Sequence, residues 1–131
     1  MMTDFDITEL EDWLVELVRD RLGVSANVFT DRPKSLDAQV TDFVVAKVTG
    51  NVSDLSAYGR CVVAFHLFAK DAANRKNGKR LSVMYKKLLP GFPVEEGRYI
   101  FSGMPVLVGD VADDFGYHAR ILQIQTIIKN Q

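Results

Sequence analysis

The chain has 131 residues, a length that suits one domain with its own hydrophobic core. Its formal net charge of −1 offers no overall field to attract nucleic acid or a membrane surface, and its single cysteine, Cys61, excludes an internal disulfide. The acidic N-terminus lacks the pattern of a secretory signal, and no apolar run approaches the ~20 residues that span a bilayer, so we expect a soluble protein made inside the cell.

Residues 8–22 are predicted to form the first helix. Thr8 and Glu11 make a capping-box pattern at its start, and Gly23 supplies a stop at its end. Its apolar residues fall on one stripe at helical spacing: Leu10, Leu14, Leu17 and Val18. Trp13 lies beside this stripe, either as a rim residue that shields the core or as a contact with another subunit.

A short strand is predicted at 27–29, followed by a polar loop over 30–42. Pro33 supports the loop, because proline has no amide hydrogen to donate and biases the residue before it away from the helical conformation. The loop is either a solvated connection or a functional segment. The next strand covers 43–49, and Gly50 begins a turn-rich connection.

Residues 60–70, RCVVAFHLFAK, form the longest run rich in β-branched and aromatic residues without Gly or Pro. At a period of two, both faces of this strand are largely apolar. Such a pattern is typical of a central strand that is covered on both sides. Because no helical segment separates it from the strand at 43–49, we expect the two to be antiparallel neighbours.

A second helix is predicted over 72–89, with Asp71 as its N-cap. Asn77 and Gly78 weaken its first half, so it begins late or bends there. Its apolar stripe comprises Leu81, Met84, Tyr85 and Leu88. Its polar side is basic and carries Arg75, Lys76, Lys79, Arg80, Lys86 and Lys87. This side is either a solvated helix face or an electropositive patch for an acidic partner or nucleic acid.

The C-terminal third is predicted to hold a loop at 91–97 and strands at 98–102, 106–111 and 117–129. The segment 112–116, ADDFG, is predicted to be the turn before the last strand. The order of elements predicts an α+β fold: a mainly antiparallel sheet of about five to six strands packed against two helices in a single domain.

Residues that carry chemistry are few and scattered. His66 lies inside a predicted strand and His118 opens one, and neither belongs to a spaced ligand cluster, so we interpret both as structural. Cys61 starts a sheet strand, a poor place for the exposed thiolate of a nucleophile. An acidic turn either is solvated or holds a hard cation loosely; its residues are Asp110, Asp113 and Asp114. We therefore expect a protein that is not an enzyme, with no catalytic residue, metal site or cofactor.

Two helices cover about one face of a sheet, yet the strands at 60–70 and 117–129 are apolar on both faces. A contiguous exposed apolar patch of more than a few hundred Å² usually marks an interface. The hypothesis is that the uncovered face is buried by loops or by an identical subunit. A closed ring is one solution to head-to-tail contacts between subunits.

Several segments occur in a characteristic order. An N-terminal helix precedes NVFTDRPKSLDAQVTD, FVVAKVTG and the long strand GRCVVAFHLFAKD, and the helix LSVMYKKLL comes next. The closing hairpin, DVADDFGYHARILQIQTI, combines an acidic turn, an aromatic-His-x-Arg opening and an alternating strand. In this order and spacing the chain, over about 8–129, resembles the small tail-terminator or tail-completion proteins of long-tailed bacteriophages.

The resemblance implies a homo-oligomeric ring, commonly a hexamer in such proteins, that caps the tail tube, stops its polymerisation and joins the tail to the head connector. The expected partners are tail-tube protein and a head–tail connector protein, with no membrane and no nucleic acid. The protein would be part of a phage or prophage virion assembled in the bacterial cytoplasm. The expected partner-binding residues are Arg32, Lys34, Arg75, Lys76, Lys79 and Arg80.

Two other functions stay open. One is a head-closure or neck protein of the same virion, which shares the ring but not the contact with the tube. The other is a stand-alone α+β binding module for a peptide, a small molecule or RNA. An RNA-binding sheet displays stacking aromatic residues on one face, whereas Phe65 and Phe68 fall on opposite faces of their strand.

Overall fold

The computed structural model describes residues 5–37, 39–54, 58–113 and 115–129. Two helices and seven strands make up this part of the chain. In chain order they are α1 (Ile7–Leu22), β1 (Val28–Phe29), β2 (Asp42–Asp54), β3 (Tyr58–Lys70), α2 (Gly78–Leu88), β4 (Val94–Glu96), β5 (Tyr99–Phe101), β6 (Val106–Ala112) and β7 (Tyr117–Lys129), with a short 3₁₀ turn at Leu89–Gly91 before β4. The predicted α+β class is confirmed.

The seven strands form one sheet in the order β1-β2-β3-β7-β5-β4, and β6 pairs with β7 beside β5. All pairs are antiparallel except β1 with β2, which is parallel. The sheet is therefore mixed and larger than the mainly antiparallel one of five to six strands that the sequence predicts. The extra strand is β4, which lies within the predicted loop at 91–97 and pairs with β5.

Three long strands, β2, β3 and β7, form the middle of the sheet, each with 13 residues. At ~3.3 Å per residue each is about 43 Å long. β3 lies between the other two, as predicted for a central strand. β2 and β3 continue into the predicted turn at 50–59. Thr49 pairs with Val62, and after a register shift the pairing resumes between Ser53 and Arg60. Residues 55–57 of that turn lie outside the described residues.

Both helices pack on one face of the sheet. Three residues of the predicted stripe of α1, Leu10, Leu14 and Val18, are fully buried there. The same core contains Leu81, Met84 and Leu88 of α2 and Cys61, Val63, Phe65 and Leu67 of β3. Full burial of one such aliphatic or aromatic side chain stabilises the fold by about 1.5–3 kcal/mol. The apolar stripes therefore fix which side of each helix faces the sheet.

The start of α1 differs from the predicted capping box. Asp6 is the N-cap, and its carboxylate accepts a hydrogen bond from the Thr8 amide at 2.9 Å. An acid at this position satisfies an unpaired amide and interacts favourably with the helix dipole. At the other end, Gly23 adopts a φ of 120°, in a region that favours glycine, and ends the helix as predicted.

The start of α2 corrects the prediction of a helix over 72–89. The helix begins at Gly78, and Asn77 is its N-cap, accepting a hydrogen bond from the Arg80 amide at 3.2 Å. A tight turn precedes it, in which Ala73 and Asn74 have positive φ values. Arg75 therefore lies in this turn rather than on the helix, and so does Lys76.

A second, smaller core lies on the opposite face, at one end of the sheet. It joins Phe43 and Val45 of β2, Phe68 of β3, and Tyr117 and Ala119 of β7. The loop between β1 and β2 covers them with Leu36 and Val40, and the Tyr117 hydroxyl donates a hydrogen bond to the Val40 carbonyl at 2.7 Å. Loops therefore cover one end of the face that the helices leave open.

Candidate functional site

The most exposed apolar element of the described chain is strand β6. Val106, Leu107 and Val108 are 66%, 50% and 58% exposed. Met104, just before the strand, and Val111, near its end, are about half exposed. These side chains leave apolar surface open on both faces of the strand, because Val106 pairs with Gln123 and Leu107 with the buried Leu122, and successive residues of a strand point to opposite faces. We call the residues Met104–Val111 the apolar strand.

The apolar strand is also an edge. Within the described residues β6 pairs with β7 alone, so the backbone groups of its other side are open to pairing. A bulge between Leu107 and Gly109 interrupts the register, and Gly109 adopts a φ of 149° that other residues rarely tolerate. An exposed apolar edge is a ready template for association with another chain.

A groove lies beside the apolar strand. It has a volume of about 460 Å³. Its lining residues are Val62, Ser102, Gly103, Met104, Val106, Gln123, Ile124 and Gln125. The lining combines apolar side chains with the amides of Gln123 and Gln125. Such a mixture suits contact with another protein segment.

A partly buried ionic cluster fastens the apolar strand to the layer of helices. The Asp110 carboxylate accepts hydrogen bonds from Arg120 Nε and Nη2 at 2.8 and 2.9 Å and from Lys76 Nζ at 2.9 Å. Arg120 also donates to Ser82 Oγ of α2 at 3.2 Å. The Arg120 hydrogen bonds hold the pKa of Asp110 at about 2, well below its ordinary value of 3.8.

Arg32 is enclosed by aromatic rings rather than presented to a partner. Its guanidinium carbon lies 5.0–5.8 Å from four ring centroids, those of Phe43, Phe68, Phe115 and Tyr117. Arg32 Nε also donates to the Asp113 carboxylate at 3.0 Å. The predicted contact residue therefore ties the loop between β1 and β2 to the start of β7.

The other predicted contact residues divide into two groups. Lys76 is paired with Asp110, and Arg80 with Asp42 at the start of β2, which commits both to the fold. Lys34, Arg75 and Lys79 form no ion pair with the residues that the structure describes, and Arg75 and Lys79 are exposed. Lys34 lines a pocket of about 370 Å³ together with Lys70 and Phe115. Arg32 lines this pocket too, whereas Arg80 lines a different one together with Asp42.

The residues considered for catalysis are buried or partly buried. Cys61 is buried, and burial raises its pKa to about 11. His66 is half-buried, and burial, followed by the charge of Lys47, lowers its pKa. His118 Nδ1 lies 2.6 Å from the Asp71 carboxylate.

The residues considered for a cation give no metal centre in the described ranges. Asp110 and Asp113 are each held by an arginine, and Asp114 lies outside the described residues. No group of three or more His, Cys, Asp or Glu side chains capable of holding a metal occurs in the part of the chain that the structure describes.

The exposure of the apolar strand is the feature of the candidate site that sequence reasoning missed. The strand itself is predicted at 106–111, but its contiguous Val-Leu-Val does not show which side stays open. The sequence feature that could have indicated this exposure is the run of three apolar residues between Pro105 and Gly109, which contains no polar residue. A central strand and an exposed interaction strand share this pattern.

No family model matches the chain, and no curated protein matches it. Among the described residues, no helix is both long enough and apolar enough to cross a membrane.

Proposed function

We propose that the chain is a structural subunit of a phage or prophage virion, a ring-forming tail terminator that caps the tail tube and joins the tail to the head connector. The exposed apolar strand carries this proposal, because a strand with this much apolar surface and an open edge needs a partner chain. The resemblance in order and spacing of segments supplies the identity of the assembly.

The energetics favour assembly through several contacts at once. A patch of roughly 400 Å², buried at ~25 cal/mol per Å², contributes about 10 kcal/mol. Association costs about 4–15 kcal/mol in lost translational and rotational freedom. The apolar strand alone therefore supports only weak pairing. A closed ring gives every subunit two neighbours, and the tail tube adds a third surface, so the contacts reinforce one another.

The predicted contact residues have separate roles in this proposal. Lys34, Arg75 and Lys79 are available for an acidic surface of the tube, the connector or a neighbouring subunit. Arg32, Lys76 and Arg80 act indirectly, because their ion pairs hold the loop, the turn and the helix that present the available cations.

The test is solution mass by light scattering across a concentration series, with negative-stain images of the same samples and a tail-tube binding assay. We expect a ring for the wild-type chain, alone or on the tube, and its loss in Leu107→Glu. The matched control is Val24→Glu, since Val24 is 91% exposed in the turn after α1, away from the apolar strand. A ring that forms equally well in Leu107→Glu would contradict the proposal.

The same assay separates the alternatives. A ring that does not bind tail-tube protein favours a head-closure or neck protein. A stand-alone module is supported by the groove beside β6, because an extended peptide can add a strand to an open sheet edge. A monomer at every concentration that also fails to assemble on the tube, but binds an extended peptide at β6, would favour the module.

A further inference from the structure

An acidic groove lies on the outer side of α1, far along the chain from the apolar strand. It has a volume of about 510 Å³ and is lined by Trp13, Glu16, Leu17, Asp20 and Glu96. The acids form its rim: the side chains of Glu16 and Asp20 are both 76% exposed, and Glu96 of β4 is exposed as well. Two more acids, Glu9 and Asp12, continue the same exposed side of α1 towards its N-terminus.

The floor of this groove is apolar and held in place. The indole of Trp13 stacks on Phe101 with a centroid distance of 5.4 Å and an interplanar angle of 10°, and it lies 5.4 Å from the ring of Tyr99. Leu17 continues the floor one turn further along α1. A floor fixed by ring contacts loses little side-chain entropy when another surface packs on it.

A stripe of opposite charge lies on α2. Lys79, Val83 and Lys86 recur at i, i+4 and i+7 and are exposed, and Lys87 lies beside them. The helix contains no acidic residue, so nothing within α2 neutralises the stripe. Val83 is 40% exposed and gives the stripe an apolar centre. We call Lys79, Val83, Lys86 and Lys87 the basic stripe.

The two surfaces are complementary in both charge and polarity. The groove has an apolar floor between acids, and the basic stripe has an apolar centre between lysines. Two arginines lie near the acids, Arg19 with its Nη1 3.8 Å from Glu16 and Arg21 with its Nε 4.0 Å from Asp20. These contacts are long and exposed, so they leave the carboxylates available to a second cation.

We propose that the acidic groove of one copy receives the basic stripe of a second copy. Every chain carries one groove and one stripe on different helices, so the contact is head-to-tail, the kind that generates a ring when the rotation closes. This inference rests on the proposed ring, and it identifies a second pair of surfaces, besides the apolar strand, through which neighbouring subunits meet.

The experiment uses two charge-reversal variants of the full chain, K79E/K86E and E16K/D20K. Each variant has two like-charged surfaces, and we expect each alone to self-associate at least tenfold more weakly than the wild-type chain. Mixed in equal amounts, they offer an acidic stripe to a basic groove and a basic stripe to an acidic groove, so association returns to within about threefold of wild type.

The control matched to K79E/K86E is R60E/K70E, which makes the same change in net charge at two exposed positions of β3. We expect this variant to associate as the wild-type chain does. Light scattering at low and high salt gives the association constants, and urea midpoints check that each variant is folded.

Three outcomes would overturn the inference: variants that associate as wild type does, a mixture that stays dissociated, or no wild-type association at low salt. So would loss of tail-tube binding with unchanged copy-to-copy binding, because the basic stripe would then belong to the tube contact. The proposed function is judged separately, by whether a ring forms on the tail tube and whether Leu107→Glu abolishes it.

Discussion

Replacing Asp110 by asparagine tests whether the ionic cluster holds the apolar strand to the fold. The substitution keeps the shape of the side chain and removes its charge. The carboxylate accepts three hydrogen bonds, two from Arg120 and one from Lys76, all within 2.9 Å. Its side chain is 15% exposed and that of Arg120 is 16% exposed, so water replaces little of the lost interaction.

The expected loss follows from the pKa of this carboxyl group. The Arg120 hydrogen bonds lower that pKa from 3.8 to about 2 in the folded chain. At ~1.36 kcal/mol per pH unit, this difference corresponds to about 2 kcal/mol of stability at neutral pH. Because the folded pKa lies below the unfolded one, the contribution is complete above about pH 4. It is lost as the pH falls towards 2, where both states become protonated.

The assay is urea unfolding of wild type and Asp110→Asn at one fixed protein concentration, since self-association makes stability concentration-dependent. At pH 7 we expect the variant to be about 2 kcal/mol less stable. Other carboxylates titrate in the same range, so the informative quantity is the difference between the two chains, which should shrink between pH 4 and 2.

Asp31→Asn is the control for Asp110→Asn, because it makes the same substitution at an exposed carboxylate outside the acidic groove and should change stability little. A wild-type-minus-variant difference that is absent at pH 7, or that stays constant down to pH 2, would refute the reasoning.

Two further predictions concern groups that the fold has enclosed. Arg32→Lys should lower the free energy of unfolding by about 1–2 kcal/mol, because an ammonium cannot stack as a plane among the rings 5.0–5.8 Å away. The measurement is the urea midpoint, with Lys34→Arg as the control. An unchanged midpoint would count against the enclosure of Arg32 by the four rings. With a pKa of about 11 instead of 9.0, Cys61 should react with a chromogenic disulfide reagent at pH 8 about a hundredfold more slowly than in the unfolded chain; equal rates would show an accessible thiolate.

Local patterns predicted the elements whose signals are strong and contiguous. The stripe of Leu10, Leu14 and Val18 predicted α1, and the two-faced apolar runs predicted β3 and β7 in nearly their observed extents. Each of these signals extends over nine residues or more, so an error of one or two residues at either end of the element changes the prediction little.

Competing local signals led to the wrong boundaries. Asp71 and Asn77 are both acceptable N-caps, but Asp71 lies against His118 of the neighbouring strand β7 and Asn77 caps the helix. Gly50 favours a turn on its own, yet the pairing of β2 with β3 on both sides of it overrode that preference. β4 is too short for a periodicity to identify it and exists because β5 offers it an edge.

The candidate site was the least predictable part, because its contacts join residues that are far apart in the sequence. Arg32 and Asp113 are 81 positions apart, and Arg80 and Asp42 are 38 apart. A single sequence shows that these residues are charged but not which of them pair. Charges chosen as partner contacts therefore included residues that the fold itself uses, namely Arg32, Lys76 and Arg80.

The same long-range pairing leaves the apolar strand without a charge at its open edge. Exposed edge strands are commonly protected by a charge on the strand, and the one charge on β6 is Asp110. That carboxylate is turned towards Arg120 and Lys76 and so cannot protect the edge. Val106–Val108 are held beside β7 with their side chains exposed. A surface held in this way loses little conformational entropy on binding, which favours a partner that matches its shape.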